Sequence, residues 1–113
     1  MSETEVLRKD NRYELRVDGR LAGLAAFVDR DGQRIFHHTE INQAHRGEGL
    51  SAVLIEQALA DATGSGMRIV PVCPAVKAYL DKHDRFADAV DPVTDETMDW
   101  LLAKFDKPKF DGR

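Results

Sequence analysis

Between Arg12 and Val17 the chain alternates, with Tyr13, Leu15 and Val17 on one face and Arg12, Glu14 and Arg16 on the other. That period of two predicts a half-buried strand following a polar start. Asp18-Gly19 comes next, a dipeptide suited to the positive-φ positions of a two-residue hairpin turn. Leu21–Val28 is apolar on both faces and predicts a more deeply buried second strand. Asp31-Gly32 predicts another tight turn, and Arg34–Ile41 a third strand. The expected product is a three-strand antiparallel meander.

From Gly47 to about Thr63 the period changes. Leu50, Val53, Leu54, Ala58 and Leu59 follow helical spacing, with Ile55 and Ala62 on the flank, and Gly64-Ser65-Gly66 stops the helix. Met67–Cys73 then predicts a short strand, and the strand, helix, strand order implies a right-handed crossover to a parallel neighbour. Pro71 and Pro74 each lack a ladder donor, so pairing should fail there and the sheet should open. Ala75 to about Lys82 predicts a short helix, with a polar turn at His83-Asp84-Arg85 and an apolar-containing segment at Phe86–Val90. Past Pro92, Thr94 is an expected N-cap, Asp95 and Glu96 suit a first turn, and Met98, Leu101, Leu102 and Phe105 form one face of a final helix. The charged stretch Lys104–Arg113 is expected to fray.

These elements define an α/β chain, and its 113 residues suit one domain with a core of its own. With 42% hydrophobic and 32% charged residues and no apolar run of membrane-spanning length, no membrane partner is expected. The acidic amino terminus lacks the features of a signal peptide, and the single cysteine, Cys73, excludes an internal disulfide; both point to the cytoplasm. A net charge of −4 argues against nucleic acid as the main partner. His37 and His38 should point to opposite faces of their strand, and with His45 and His83 they show no ligand spacing, so no metal site is expected.

The stretch Arg46-Gly47-Glu48-Gly49-Leu50-Ser51-Ala52 carries the strongest chemical signal. Two glycines and an arginine where a helix opens present backbone N–H groups without intrahelical partners, at the positive end of the helix dipole. Such a turn is built to receive a phosphate. Gly47-x-Gly49-x-x-Ala52 also satisfies the dinucleotide fingerprint, but the next strand ends in Val72-Cys73-Pro74, where an acidic residue would be needed for ribose. An antiparallel meander upstream also fits poorly with a dinucleotide-binding sheet, and no Gly-Lys-Ser/Thr follows to make a P-loop.

Arg46-x-x-Gly49-x-Ser51 resembles the Arg/Gln-x-x-Gly-x-Gly/Ala signature of the Gcn5-related N-acetyltransferase superfamily, with Ser51 standing where Gly or Ala is usual. His38-Thr39-Glu40-Ile41 before it, Val72-Cys73-Pro74-Ala75-Val76 after the helix, and Tyr79-Leu80-x-Lys82-His83 downstream are similar to the small single-domain branch of that superfamily. The resemblance spans about residues 10–90. It implies a minimal acyl-CoA N-acyltransferase fold, in which the strand before the cradle and the strand ending in Cys-Pro splay apart around the pantetheine arm of acetyl-CoA.

On that resemblance, Ile41, Asn42, Arg46, Gly47, Glu48, Gly49, Leu50, Ser51, Cys73, Tyr79, Lys82 and His83 are expected to bind the cosubstrate. Glu40 is the expected base and Tyr79 the expected proton donor to the CoA sulfur. Cys73 either lines the acetyl channel or accepts the acetyl group. Each has a plainer alternative: a solvated strand carboxylate, a helix tyrosine with a wet hydroxyl, and a small buried hydrophobe. The implied activity is acetyl transfer from acetyl-CoA to a primary amine by direct attack in a ternary complex, with a protein lysine, a polyamine or a small metabolite as acceptor. The alternatives are a non-catalytic acetyl-CoA sensor or interaction module and, more distantly, an NAD(P)-binding fragment. A monomer or weak homodimer is expected.

Overall fold

In the computed structural model, which describes residues 3–105, the chain folds into one five-stranded sheet and three helices. The strands are β1 (Thr4–Arg8), β2 (Arg12–Val17), β3 (Arg20–Arg30), β4 (Gln33–Ile41) and β5 (Arg68–Pro71), and they lie side by side in chain order. β1 to β4 run antiparallel, and β5 is parallel to β4.

Both hairpin turns form as expected. Asp18 and Gly19 have φ of 52° and 82°, and Asp31 and Gly32 have 52° and 80°, the left-handed pair that matches the twist of the flanking strands. The meander has four strands, since Thr4–Arg8, within the polar start, pairs with β2 along its whole length. Glu3 supports that edge by donating its backbone N–H to Asp18 Oδ1 at 2.8 Å.

Helix α1 (Leu50–Gly64) crosses from β4 to β5, beginning three residues later than the expected Gly47. Helix α2 (Pro74–Lys82) has proline in its first turn, where a missing N–H costs nothing. Both pack on one face of the sheet: Tyr13, Leu15, Phe27 and Phe36 share a buried cluster with Leu54, Ile55, Leu59 and Val76. Helix α3 (Asp95–Phe105) starts where Thr94 Oγ1 accepts the Thr97 N–H at 3.1 Å. It covers the other face through Leu101 and Trp100, packed with Ile35, Val70 and Val28. Of its expected apolar face, Leu101 is buried, whereas Leu102 and Phe105 are exposed. The segment following Phe105, which includes most of the stretch expected to fray, lies outside the described residues.

A buried polar clasp ties β2, β3, β4 and α1 together. Arg34, 6% exposed, donates Nε and Nη2 to the two oxygens of Asp29 at 2.8 and 2.9 Å, and Nη1 to the Tyr13 hydroxyl at 2.6 Å. Tyr13 in turn donates to Asp61 of α1 at 2.7 Å. Burial, followed by the Asp61 hydrogen bond, pushes the Tyr13 hydroxyl pKa well above its usual value, so it stays a donor.

Candidate functional site

The ladder between β4 and β5 is four residue pairs long and ends at Phe36↔Pro71. Proline has no N–H to continue it, and the last backbone tie to β4 is the Cys73 N–H, which donates to the Phe36 carbonyl at 2.8 Å. Beyond that tie the two strands part, and β4 runs on through Ile41 without β5 beside it. Cys73 then caps α2 from an extended conformation.

A β-bulge sits at the same place. Phe27 pairs with Phe36 while Ala26 pairs with His38, so His37 is an extra residue on β4. Paired neighbours share a face, so His38 lies beside Ala26 on the face away from Phe36. His37 lies on that face too, its ring 4.7 Å from that of Phe105 on α3. The expectation that His37 and His38 point to opposite faces is therefore wrong, because the bulge interrupts the alternation. Burial, and to a lesser degree His38, lowers the His37 pKa, which keeps its ring neutral near pH 7.

The alternation resumes past the bulge and divides the expected residues between the two faces. Thr39 turns to the helix side, where its Oγ1 lies 3.2 Å from Cys73 Sγ across the parting strands. Glu40 pairs with Leu24 and turns to the opposite side, its Oε2 lying 2.6 Å from His38 Nε2. An ionised carboxylate can only accept, so Nε2 carries a hydrogen in this bond, and in the neutral ring the lone pair then lies on Nδ1. Glu40 and Cys73 thus flank the β4 edge from opposite faces.

Gly23 makes this edge geometry possible. A Cβ on it would stand 2.7 Å from both the Glu40 carbonyl oxygen and Ile41 Cδ1. No turn signal surrounds Gly23, and sequence reasoning passed over it, although a lone glycine inside an apolar strand marks a close backbone approach. The Asn42 N–H donates to the Ala22 carbonyl at 2.6 Å, and its side-chain oxygen accepts the Ala44 N–H at 2.9 Å to cap a short 3₁₀ turn, Gln43–His45. Along this ladder the backbone groups of Thr39 and Ile41 therefore face the open edge.

The cradle follows that turn. Gly47 and Gly49 have φ of 84° and 74°, and beyond its chain neighbours neither position has an atom within 4 Å of where a Cβ would stand. These glycines are required by conformation and not by crowding. Gly49 caps α1 without any side-chain hydrogen bond, so the first-turn amides beginning at Leu50 and Ser51 have neither intrahelical nor capping-side-chain acceptors. Arg46 and Glu48 are exposed beside them, and Glu48 Oε1 lies 3.1 Å from His45 Nδ1. The turn can accept an anion without rearranging its backbone.

Tyr79 and the α2 terminus complete the helix side. The Tyr79 ring is 4.4 Å from that of His83, and Lys82 and His83 are exposed at the end of α2. Burial, then the negative charge of Glu56, raises the Tyr79 pKa, so its hydroxyl keeps its proton at neutral pH. Among the described residues no group of three His, Cys, Asp or Glu side chains is placed to hold a metal ion, and no helix is long and apolar enough to cross a membrane.

The family described as GCN5-related N-acetyl-transferase matches residues 12–89, more than half of the chain, and the chain belongs to that family. The solution structure of a GCN5-like protein from Staphylococcus aureus is similar at a TM-score of 0.58 and 18% identity, covering 84% of this chain and 95% of that one. An aminoglycoside acetyltransferase from an uncultured soil metagenomic sample, in complex with sisomicin, aligns at a TM-score of 0.44 and 14% identity. That alignment covers 95% of this chain and 64% of the other. No curated protein matches the chain.

Proposed function

We propose that this chain, as one domain, transfers the acetyl group of acetyl-CoA to a primary amine by direct attack in a ternary complex. The observation that carries the reading is the division of the β4 edge, with the cradle and Cys73 on the helix side and the His38–Glu40 pair on the other. Donor and acceptor can then approach one gap from opposite faces. The motif set also resembles the small single-domain branch that includes N-acetyltransferase domain-containing protein 1.

In this reading the pyrophosphate lies against the amides of Gly47 to Ser51, with Arg46 beside it, and Lys82 and His83 serve the outer phosphate. The pantetheine amides pair with the open edge at Thr39 and Ile41. Cys73, held by Phe36 and Thr39, lines the acetyl end. An amine with a pKa of ~10.4 must lose a proton before attack, which costs about 4.6 kcal/mol at pH 7. In this reading His38 Nδ1 takes that proton in place of Glu40, the base expected from the sequence, and Glu40, 2.6 Å from His38 Nε2, acts as a positioning residue that fixes the tautomer. Tyr79, kept protonated by burial, returns a proton to the departing sulfur. Alignment of the two reactants can supply roughly 7–11 kcal/mol more.

Release of CoA thiol from acetyl-CoA in the presence of a panel of primary amines tests the proposal. Amine-dependent release with formation of the N-acetyl product is the expected result. Tight acetyl-CoA binding with no release for any amine would overturn it in favour of a CoA-sensing module.

A further inference from the structure

The sheet face opposite α1 is only partly covered by α3. Beside the last turn of that helix is a cavity of about 450 Å³, a size suited to a small molecule. Leu24, Ala26 and Val28 of β3 form its floor, Phe105 of α3 overhangs it, and His37 stands at its β4 end. Leu24 and Ala26 are the register partners of Glu40 and His38, so the floor leads directly to that pair. At the far end are Asp10, Asn11 and Arg12. Of the charged lining residues, Asp29 is engaged by Arg34 and Arg12 by Glu14, while Asp10 and Lys104 also line the cavity.

Two facts connect this cavity with the choice of acceptor. Helix α3, which forms the roof, lies outside residues 12–89, the part of the chain that the family matches. The neutral ring of His37 at the inner end does not repel an approaching ammonium group. We infer that the cavity is the acceptor pocket and that it selects a small primary amine carried on an apolar or aromatic stem. The amino group lies at His38, and the stem runs over Ala26 and Leu24 beneath Phe105. A polyamine would carry a second ammonium across the apolar floor of Leu24, Ala26 and Val28, at a desolvation cost that only Asp10 at the far end could offset. A lysine on a folded protein surface would have to bring its backbone beneath Phe105, which overhangs the cavity.

This inference rests on the acetyl-transfer reading and narrows it. The amine nitrogen bonds to the thioester carbonyl carbon, the carbon–sulfur bond breaks, and the sulfur leaves with the electron pair and is protonated as CoA thiol. The ammonium loses its first proton through His38 to solvent before attack; the second, lost as the amide forms, also goes to His38, while Tyr79 protonates the sulfur and is reprotonated from solvent.

Phenethylamine, spermidine and a lysine peptide serve as probes. Titration of the full chain with phenethylamine, followed by amide NMR, is expected to move the signals of Leu24, Ala26, Val28 and His37. With acetyl-CoA present, kcat/KM for phenethylamine should exceed that for spermidine and for the lysine peptide by at least tenfold. Ala26→Phe, which fills the floor, should raise KM for phenethylamine at least tenfold with little change in kcat, and Phe105→Ala should act in the same direction. CoA release with unmoved cavity amides, or equal use of spermidine or the peptide, would overturn the pocket. Cavity shifts without CoA release from any amine would sustain the pocket and overturn acetyl transfer.

Discussion

The two halves of β4 share one strand and have opposite fates. Gln33–Phe36 is paired on both sides and sealed by helices on both faces, with Arg34, Ile35 and Phe36 buried. His37–Ile41 is paired on one side only, and none of its residues is buried. The boundary is two residues wide: a proline that ends one ladder and an extra histidine that shifts the other. Stability collects in the first half and chemistry in the second, because unpaired backbone groups can serve a ligand only where no neighbouring strand has taken them.

The sharpest way to break the contrast is to exchange the consequences. Phe36→Ala removes a fully buried ring from the closed half and should cost about 3–5 kcal/mol of stability, read from chemical denaturation. Gly49→Val should leave the closed half intact and lower acetyl-CoA affinity at least 100-fold by calorimetry, since a β-branched residue does not hold a φ of 74°. Glu40→Gln, in the open half, should reduce kcat by about tenfold with the dissociation constant for acetyl-CoA unchanged. A parallel loss of stability would make Glu40 part of the sheet's fabric instead.

The smallest expected effect concerns His37. Its pKa is lowered in the folded state, so the unfolded chain binds the extra proton and the linked stability is present above about pH 6.5. It is lost as pH falls from there toward the folded value. His37→Phe should flatten the melting temperature between pH 7 and 5.5, and an unchanged slope would remove His37 from the account.

Much of this division was legible in the sequence. Pro71 announced the end of the ladder, and the two Asp-Gly turns set the hairpins that lead to it. Gly47 and Gly49 marked the cradle because only a left-handed backbone explains both so close to a helix start. The bulge at His37 had no such signal, since a bulge arises from the mismatch of two strands and no residue type is reserved for it. For the same reason the two histidines were assigned to opposite faces. β1 was missed because an edge strand needs little apolar surface, and its five residues are held chiefly by the β2 ladder. Glu14 and Arg34 were read as solvent-facing or left unplaced, yet both are buried: Glu14 lies between Arg16 and Arg12, which hold its carboxyl below the usual range, and Arg34 in the clasp.

The topology also sets an order of assembly. β1 to β4 are joined by short turns, so their contacts close small loops, whereas pairing Gln33 with Arg68 must wait for the whole α1 crossover. The opening in the sheet does not exist until that slow, distant pairing is made. Amide exchange of Val70 is therefore expected to report an earlier-opening unit than the amides of Leu15 and Ala25, and equal protection of the two would refute that order.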